Sequence, residues 1–434
     1  MALSTKVISF GTGTGAAGTT IDVTLGFQPK AVIVVWNGRT ESTDTVGRAD
    51  SHIGRGFGVS NTARGCTVWS RQNGAAAETG ATVITTSAIV YRVTTAGVAD
   101  GALDIDATGN WPSDGIRFIV DTQFGADTRV LLFAIGGTDI TNTFCSSFTT
   151  STAAIGTDID ITAPGFQPDV VFTLSNGQTS LDTINAAVAS VHYGVGLSAT
   201  KQAVHTVMHD PGAASGDGGD YCLDSVEMMA RHDTANPASI LSSYDLVQML
   251  ATGFRYNNLE VTNAHHVVYL AIKGALWDQG SLQTQTDTTT AITASGLSFQ
   301  PAGLLFESAC RAESTQNAGT TPTRFSSGMA TGASEEACVG EHGEDTAANM
   351  RVGTAIEFDN CYVNLANVAA DGDPQTIQGA MHVESINNDG FTCKMSDADP
   401  SGTFVWWVAV GSAVASLTAR KYHINQSIHR SQYF

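Results

Sequence analysis

A chain of 434 residues with 14% charged residues, 45 glycines and a formal net charge of −20 is long enough for two to four cores. It is too poor in long helix-forming stretches for a helical protein. With 41 acidic against 21 basic residues, its bulk is repelled by phosphate, which argues against direct nucleic-acid binding.

In chain order, Gly13, Gly15 and Gly18 match G-x-G-x-x-G, the dinucleotide fingerprint. That chemistry needs a helix N-terminus after the glycines to receive a pyrophosphate. Residues 19–24, TTIDVT, read as a strand, so the stretch is expected to be a Gly-rich hairpin and no cofactor is expected. Phe27-Gln28-Pro29 then leads into the apolar run 31–36, an aromatic and Gly-bearing strand spans 51–60, Gly115 opens an alternating strand, and 130–136 closes the set. The same anchors return as Phe166-Gln167-Pro168, 170–174, 190–198, Gly253 and 267–274. They return again as Phe299-Gln300-Pro301, 302–306, 325–331, Gly390 and 405–411. Several anchors in one order at a period of about 137 residues mark an internal repeat.

Proline after Phe-Gln fixes φ and lacks a donor, so it marks a strand entry. The runs that follow are apolar on both faces and must be covered on both sides. The strands opened by Gly115, Gly253 and Gly390 alternate, and each is expected to pair with its closing run through a turn. The fold predicted is all-β: three tandem antiparallel, jelly-roll-like β-sandwich domains of about eight strands. Their bounds are 1–137, 138–275 and 276–411, with Thr- and Ser-rich linkers at 138–155 and 275–290. Each is expected to fold independently. The third is followed by a docking tail, 412–434.

Candidate chemistry is sparse. The seven cysteines are scattered and never in a C-x-x-C pair, which reads as small buried hydrophobes. His192, His205, His209 and His232 lack metal-ligand spacing on a clear helix. Asp210, Asp217, Asp220 and Asp224 could hold calcium, but read as a solvated Gly-rich turn. Glu335, Glu336, Glu341, Glu344 and Asp345 read as an acidic surface loop, since nothing places two of them across a sugar-binding groove. Trp36 is not a repeated feature, and at least one of Trp406 and Trp407 must be core. Trp69 and Trp111 are the loop or strand-edge candidates for carbohydrate contact. No catalytic residue, metal or cofactor is expected, and the chain reads as no enzyme.

Gly26-Phe27-Gln28-Pro29-Lys30-Ala31-Val32 and Gly165-Phe166-Gln167-Pro168-Asp169-Val170-Val171 resemble the G-F-Q-P-D-x-V segment of tailed-phage virion proteins. The resemblance covers one segment per repeat and implies a virion structural protein, with tail-associated sheath, collar or appendage as the leading placement. A glycan-binding host-attachment adhesin and a capsid decoration protein are the alternatives, with a polysaccharide depolymerase last. The expected partners are copies of the chain, other virion proteins and a host glycan, with no nucleic acid. Residues 1–6 lack the apolar core of a signal peptide and no run of 18 apolar residues occurs, so no export signal and no membrane insertion are expected. The location implied is the virion, assembled in the host cytoplasm. The tail carries Arg420, Lys421 and Arg430 beside Tyr422, Tyr433 and Phe434, with no acidic residue. That mix suits a protein interface.

Overall fold

The computed structural model describes residues 2–48, 50–74, 80–185, 189–209, 219–232, 240–312, 323–345, 350–365 and 376–413. Among them the chain is all-β, with one 3-10 turn at Thr108–Asn110. The first set comprises β1 (Ser4–Gly11), β2 (Thr20–Thr24), β3 (Pro29–Trp36), β4 (Thr45–Arg48), β5 (Ser51–Ser60) and β6 (Ala63–Arg71). It continues with β7 (Gly80–Thr85), β8 (Val90–Val93), β9 (Ala99–Ile105), β10 (Gly115–Thr122) and β11 (Arg129–Gly136). Apart from β4, these strands form a six-stranded sheet, β1-β11-β3-β5-β6-β7, and a four-stranded sheet, β2-β10-β9-β8.

The second set is β12 (Ile140–Thr149), β13 (Asp158–Ile161), β14 (Val170–Ser175), β15 (Ala189–Ser198) and β16 (Lys201–His209). It ends with β17 (Gly219–Asp224), β18 (Met229–His232), β19 (Ile240–Leu250), β20 (Gly253–Glu260) and β21 (His266–Gly274). Its sheets are β12-β21-β14-β15-β16-β17 and β13-β20-β19-β18. The third is β22 (Leu276–Gln283), β23 (Ala291–Ser295), β24 (Phe299–Ser308), β25 (Thr323–Gly332) and β26 (Glu335–Asp345). It ends with β27 (Met350–Glu357), β28 (Tyr362–Leu365), β29 (Ile377–Asn387), β30 (Gly390–Asp397) and β31 (Phe404–Ala413). Its sheets are β22-β31-β24-β25-β26-β27-β4 and β23-β30-β29-β28. One ten-strand order therefore occurs three times.

Alternation along the central strands explains their unbroken apolar runs. In β3, Val32, Val34 and Trp36 fill the first set's own core, while Ala31, Ile33 and Val35 face a core shared by all three sets. β11 divides likewise: Val130, Leu132 and Ala134 inward to the sandwich, Leu131, Phe133 and Ile135 to the shared core. In β31, Trp407 belongs to the third set's core and Trp406 to the shared one. Each six-stranded sheet is thus buried on both faces, by its four-stranded partner and by the other two six-stranded sheets. The three units close around one shared core.

Close backbone approach fixes two sets of glycines. A Cβ on Gly56, Gly194 or Gly328 would lie 2.0, 1.9 and 1.9 Å from the carbonyl oxygens of Ile89, Met228 and Cys361. A Cβ on Gly115, Gly253 or Gly390 would lie 2.1, 1.8 and 1.9 Å from those of Val23, Ile161 and Ala294. At the first place only glycine lets one layer touch the other, and at the second it lets adjacent strands of the four-stranded sheet close up at the strand end.

Several expectations need correction. The stretches 138–155 and 275–290 contain strands β12 and β22, which pair with β21 and β31. Each unit has ten strands rather than about eight. β10 pairs with β2 and β9, while its closing run β11 pairs with β1 and β3 in the other sheet. Glycines 13–18 join strands of different sheets, so they form an arch rather than a hairpin. β31 runs on through Ser412 and Ala413, which pair with Gln300 and Phe299. Arg420, Lys421, Tyr422, Arg430, Tyr433 and Phe434 lie outside the described residues.

Candidate functional site: a charged seam on the pseudo-threefold axis

Consecutive strands in each unit run in opposite directions, so connections alternate between two poles. One pole gathers the short turns 61–62, 199–200 and 333–334, both described chain ends and the unit junctions. Asp139 knits that pole together. Its N–H donates to the Ala2 carbonyl (2.8 Å), its carbonyl accepts from Ala275 N (3.0 Å), and its carboxylate accepts from Ser412 Oγ (2.8 Å). At the opposite pole lie the connections after β3, β6 and β8 and their counterparts, which differ in length among units.

The same contact repeats around the ring. The connection after β3 supplies β4, which completes the third unit's sheet against β27, and Asn37 Nδ2 donates to the Ala355 carbonyl at 2.5 Å. The corresponding connection of the second unit caps β7. Thr82 and Asn185 exchange N–H···O bonds of 2.8 and 2.9 Å, and Asp182 N donates to the Ile84 carbonyl at 2.8 Å. The third unit's connection reaches the second, where Arg311 pairs with Asp220 at 3.1 Å. The β27 edge is thus covered by β4 and the β7 edge by residues 182–185, and the Arg311–Asp220 pair is the described contact at the equivalent edge of the second unit.

Charge lies inside this ring. Val35, Arg55 and Thr67 stand side by side on three strands, as do Leu174, Tyr193 and His205, and Glu307, Ser327 and Val339. These equivalent positions meet near the axis. Arg55 donates to Glu307, Ser327 Oγ donates to Glu307 Oε1 at 2.7 Å, and the Arg55 guanidinium stands 5.2 Å from the Tyr193 ring centroid. His205 stacks on Phe325, with centroids 5.4 Å apart and planes 15° apart. Arg55 and Glu307 are 2% and 1% exposed, so this is a desolvated pair. Burial pushes the Glu307 carboxyl up to about 7 against the pull of Arg55, and holds His205 down at about 3. His205 is therefore neutral, and its 4.0 Å approach to Glu307 is no ion pair. Nearby, Arg71 pairs with Glu341 across units at 3.3 Å.

Toward the chain-end pole the seam carries a second code. Lys6 on β1 pairs with Glu335 at the start of β26, while the counterpart of Lys6 on β22, Asp278, pairs with Lys201 at the start of β16. The signs are reversed at one equivalent place. Exchanging neighbours would set lysine against lysine or carboxylate against carboxylate.

The sequence candidates are dispersed. His192 faces His265 inside the second sandwich (6.2 Å), and His232 meets Tyr221 (6.0 Å). The His209 side chain and all of Asp210 and Asp217 lie outside the description. Asp220 is a buried strand residue rather than a turn ligand, with burial pushing its carboxyl up to about 7, and Asp224 accepts from Gln279. Glu336 accepts from Val383 N at 2.8 Å and Glu341 binds Arg71, so these residues form a strand, not a surface loop. The side chains of Glu344 and Asp345 are not among those described. Trp69 is fully buried in the shared core, and Trp111 is half-buried with its Nε1 donating to the Asp106 carbonyl at 2.7 Å. Neither is an open sugar platform. All seven cysteines are free and buried. Among the described residues no group of three His, Cys, Asp or Glu could hold a metal, and no helix is long and apolar enough to cross a membrane.

Sequence reasoning missed the seam. A lone Arg55 in an aromatic-Gly strand and a lone Glu307 in a doubly covered run were its signals, since such charges are buried only when paired. No protein-family model matches the chain, and no curated protein matches it.

Proposed function

We propose that the chain is a structural component of a tailed-phage virion, most simply a tail-associated collar or appendage subunit. The observation that carries this reading is the closed ring of three units with both described chain ends on one pole. Such a body presents one attachment face and one free face around a single axis, a shape suited to a symmetric particle. The G-F-Q-P-D-x-V resemblance adds to it, and the buried seam offers scaffold chemistry rather than a catalytic group open to substrate. The acid-free segment 412–434 suits docking of Arg420, Lys421 and Arg430 on an acidic neighbouring subunit. Mass spectrometry of separated heads and tails from purified particles tests the reading. The chain is expected in the tail fraction, and its absence from particles would overturn the proposal.

A host-attachment adhesin is the second reading, supported by the unequal connections at the pole remote from the chain ends. Glycan-array binding mapped to those connections would favour it.

A further inference from the structure

Phe-Gln-Pro is the tripeptide that first revealed the repeat, and the structure separates its three duties. Proline is buried in every copy, at Pro29, Pro168 and Pro301. Phenylalanine packs inward. A Cβ on Gly136 would lie 3.0 Å from the Phe27 ring and one on Gly411 2.3 Å from the Phe299 ring, and Phe166 lies against the second sandwich core. Glutamine does neither, because Gln28, Gln167 and Gln300 are all exposed. Of the three, Gln167 Nε2 reaches the Met249 carbonyl at 3.1 Å, while the Gln28 and Gln300 side chains have no hydrogen-bond partner among the described residues.

All three glutamines stand at the pole that holds both described chain ends. Gln300 pairs with Ser412, whose Oγ binds Asp139. Gln28 lines a recess of about 260 Å³ with Ser4, Phe27, Lys30, Gly137 and Thr138, beside the same Asp139. Gln167 precedes Asp169 by two residues, and the Asp169 carboxylate accepts from Gly274 N at the second junction, 2.6 Å away. One exposed amide at the equivalent place in each unit thus encircles the axis.

Resting on the virion reading, we infer that this crown is the attachment face and that its partner is a protein of threefold symmetry centred on the same axis. Each glutamine offers an amide donor and acceptor to one protomer of that partner. Three equivalent contacts to one rigid partner reinforce one another, so individually weak bonds sum to a firm attachment. An asymmetric partner would engage one corner and leave two amides idle.

The test uses the full chain, tagged and produced during infection by the phage that encodes it, with incorporation measured in purified particles. Gln28→Glu, Gln167→Glu and Gln300→Glu are made singly and together, and Val98→Glu, an exposed site in the connection after β8 at the opposite pole, is the control. Each single change is expected to lower incorporation about fivefold and the triple change about a hundredfold. The control should match the parent, and all variants should melt like it. A triple variant incorporated normally would overturn the inference, as would loss from one glutamine alone with the other two silent. Absence of the parent chain from particles would instead overturn the virion reading on which the inference rests.

Discussion

The three sandwich interiors and the axial core solve the same burial problem with different chemistry. The first sandwich interior is filled by Val32, Val34, Trp36, Ile116 and Phe118, contributed by strands within one unit. The axial core draws on all three units and contains Arg55, Glu307, His205, Arg71 and Glu341 as well as apolar side chains. An apolar interior needs only volume and pattern, so it tolerates hydrophobic exchange. A buried ion pair adds little net stability but punishes any arrangement that separates its partners. In a ring of similar units, where several neighbour orders would bury similar area, that penalty selects one.

The largest effect that would break this contrast is removal of half the pair. Glu307→Leu leaves Arg55 charged and desolvated, and should cost about 3–5 kcal/mol in chemical denaturation. The double change Arg55→Met with Glu307→Leu should recover most of that loss, because the site then resembles the sandwich interiors. If the single variant is as stable as the parent, the axial charges do not hold the ring in order.

Next comes overpacking within a sandwich. Gly194→Val forces a side chain into the Met228 carbonyl, which a Cβ would already approach to 1.9 Å. Overpacking of this kind costs about 1–3 kcal/mol. The counterpart changes at Gly56 and Gly328 should cost similar amounts, since the same approach recurs there.

Acid should act with opposite sign on the buried histidines and the buried carboxylates. His192, inside the second sandwich, is held down at about 3 by burial, below its unfolded value near 6.5. It is neutral when folded, so its stability contribution is complete above pH 6.5 and is lost as pH falls toward 3. Glu307 and Asp220 are raised to about 7, so they destabilise the fold above pH 7 and are relieved as pH falls toward about 4.5. Replacing His192 with Leu should flatten the acid decline between pH 6 and 4 by about 1.4 kcal/mol per pH unit. Melting curves across that range would show it, and an unchanged slope would mean that His192 does not titrate as burial requires.

The repeat and the doubly covered strands were legible because apolar periodicity is local. The run 31–36 announces two buried faces, although nothing in it says that one belongs to residues hundreds of positions away. The pairing of Arg55 with Glu307 spans 252 residues, beyond any spacing argument. β12 is hard to tell from a linker because Ile140–Thr149 is mostly Thr, Asn and Ser around two Phe and one Cys, a composition shared by linkers and exposed edge strands. Trp69 was misread as an edge candidate because its cover comes from the shared core.

The smallest effect expected is that of moving the chain ends, and it asks whether the axial core or the covalent order defines the molecule. Each unit begins where it ends: Ser4 pairs with Gly136, Ile140 with Gly274 and Leu276 with Gly411. Ala2 and Ser412 both bind Asp139, so the ends sit beside a junction of the same kind as those the chain already makes. A permuted chain would start at Leu276, run to Ala413, cross a Gly-Ser linker of about six residues reaching roughly 20 Å, and continue from Ala2 to Gly274. Compared with the chain 2–413, it keeps every strand pair, the Arg55–Glu307 contact and the β4–β27 edge. Closing a loop this short changes stability by only about 1 kcal/mol, so the two chains should unfold at nearly the same denaturant concentration. A permuted chain that failed to fold, or unfolded in separate steps, would show that the units depend on synthesis order rather than on a core they share equally.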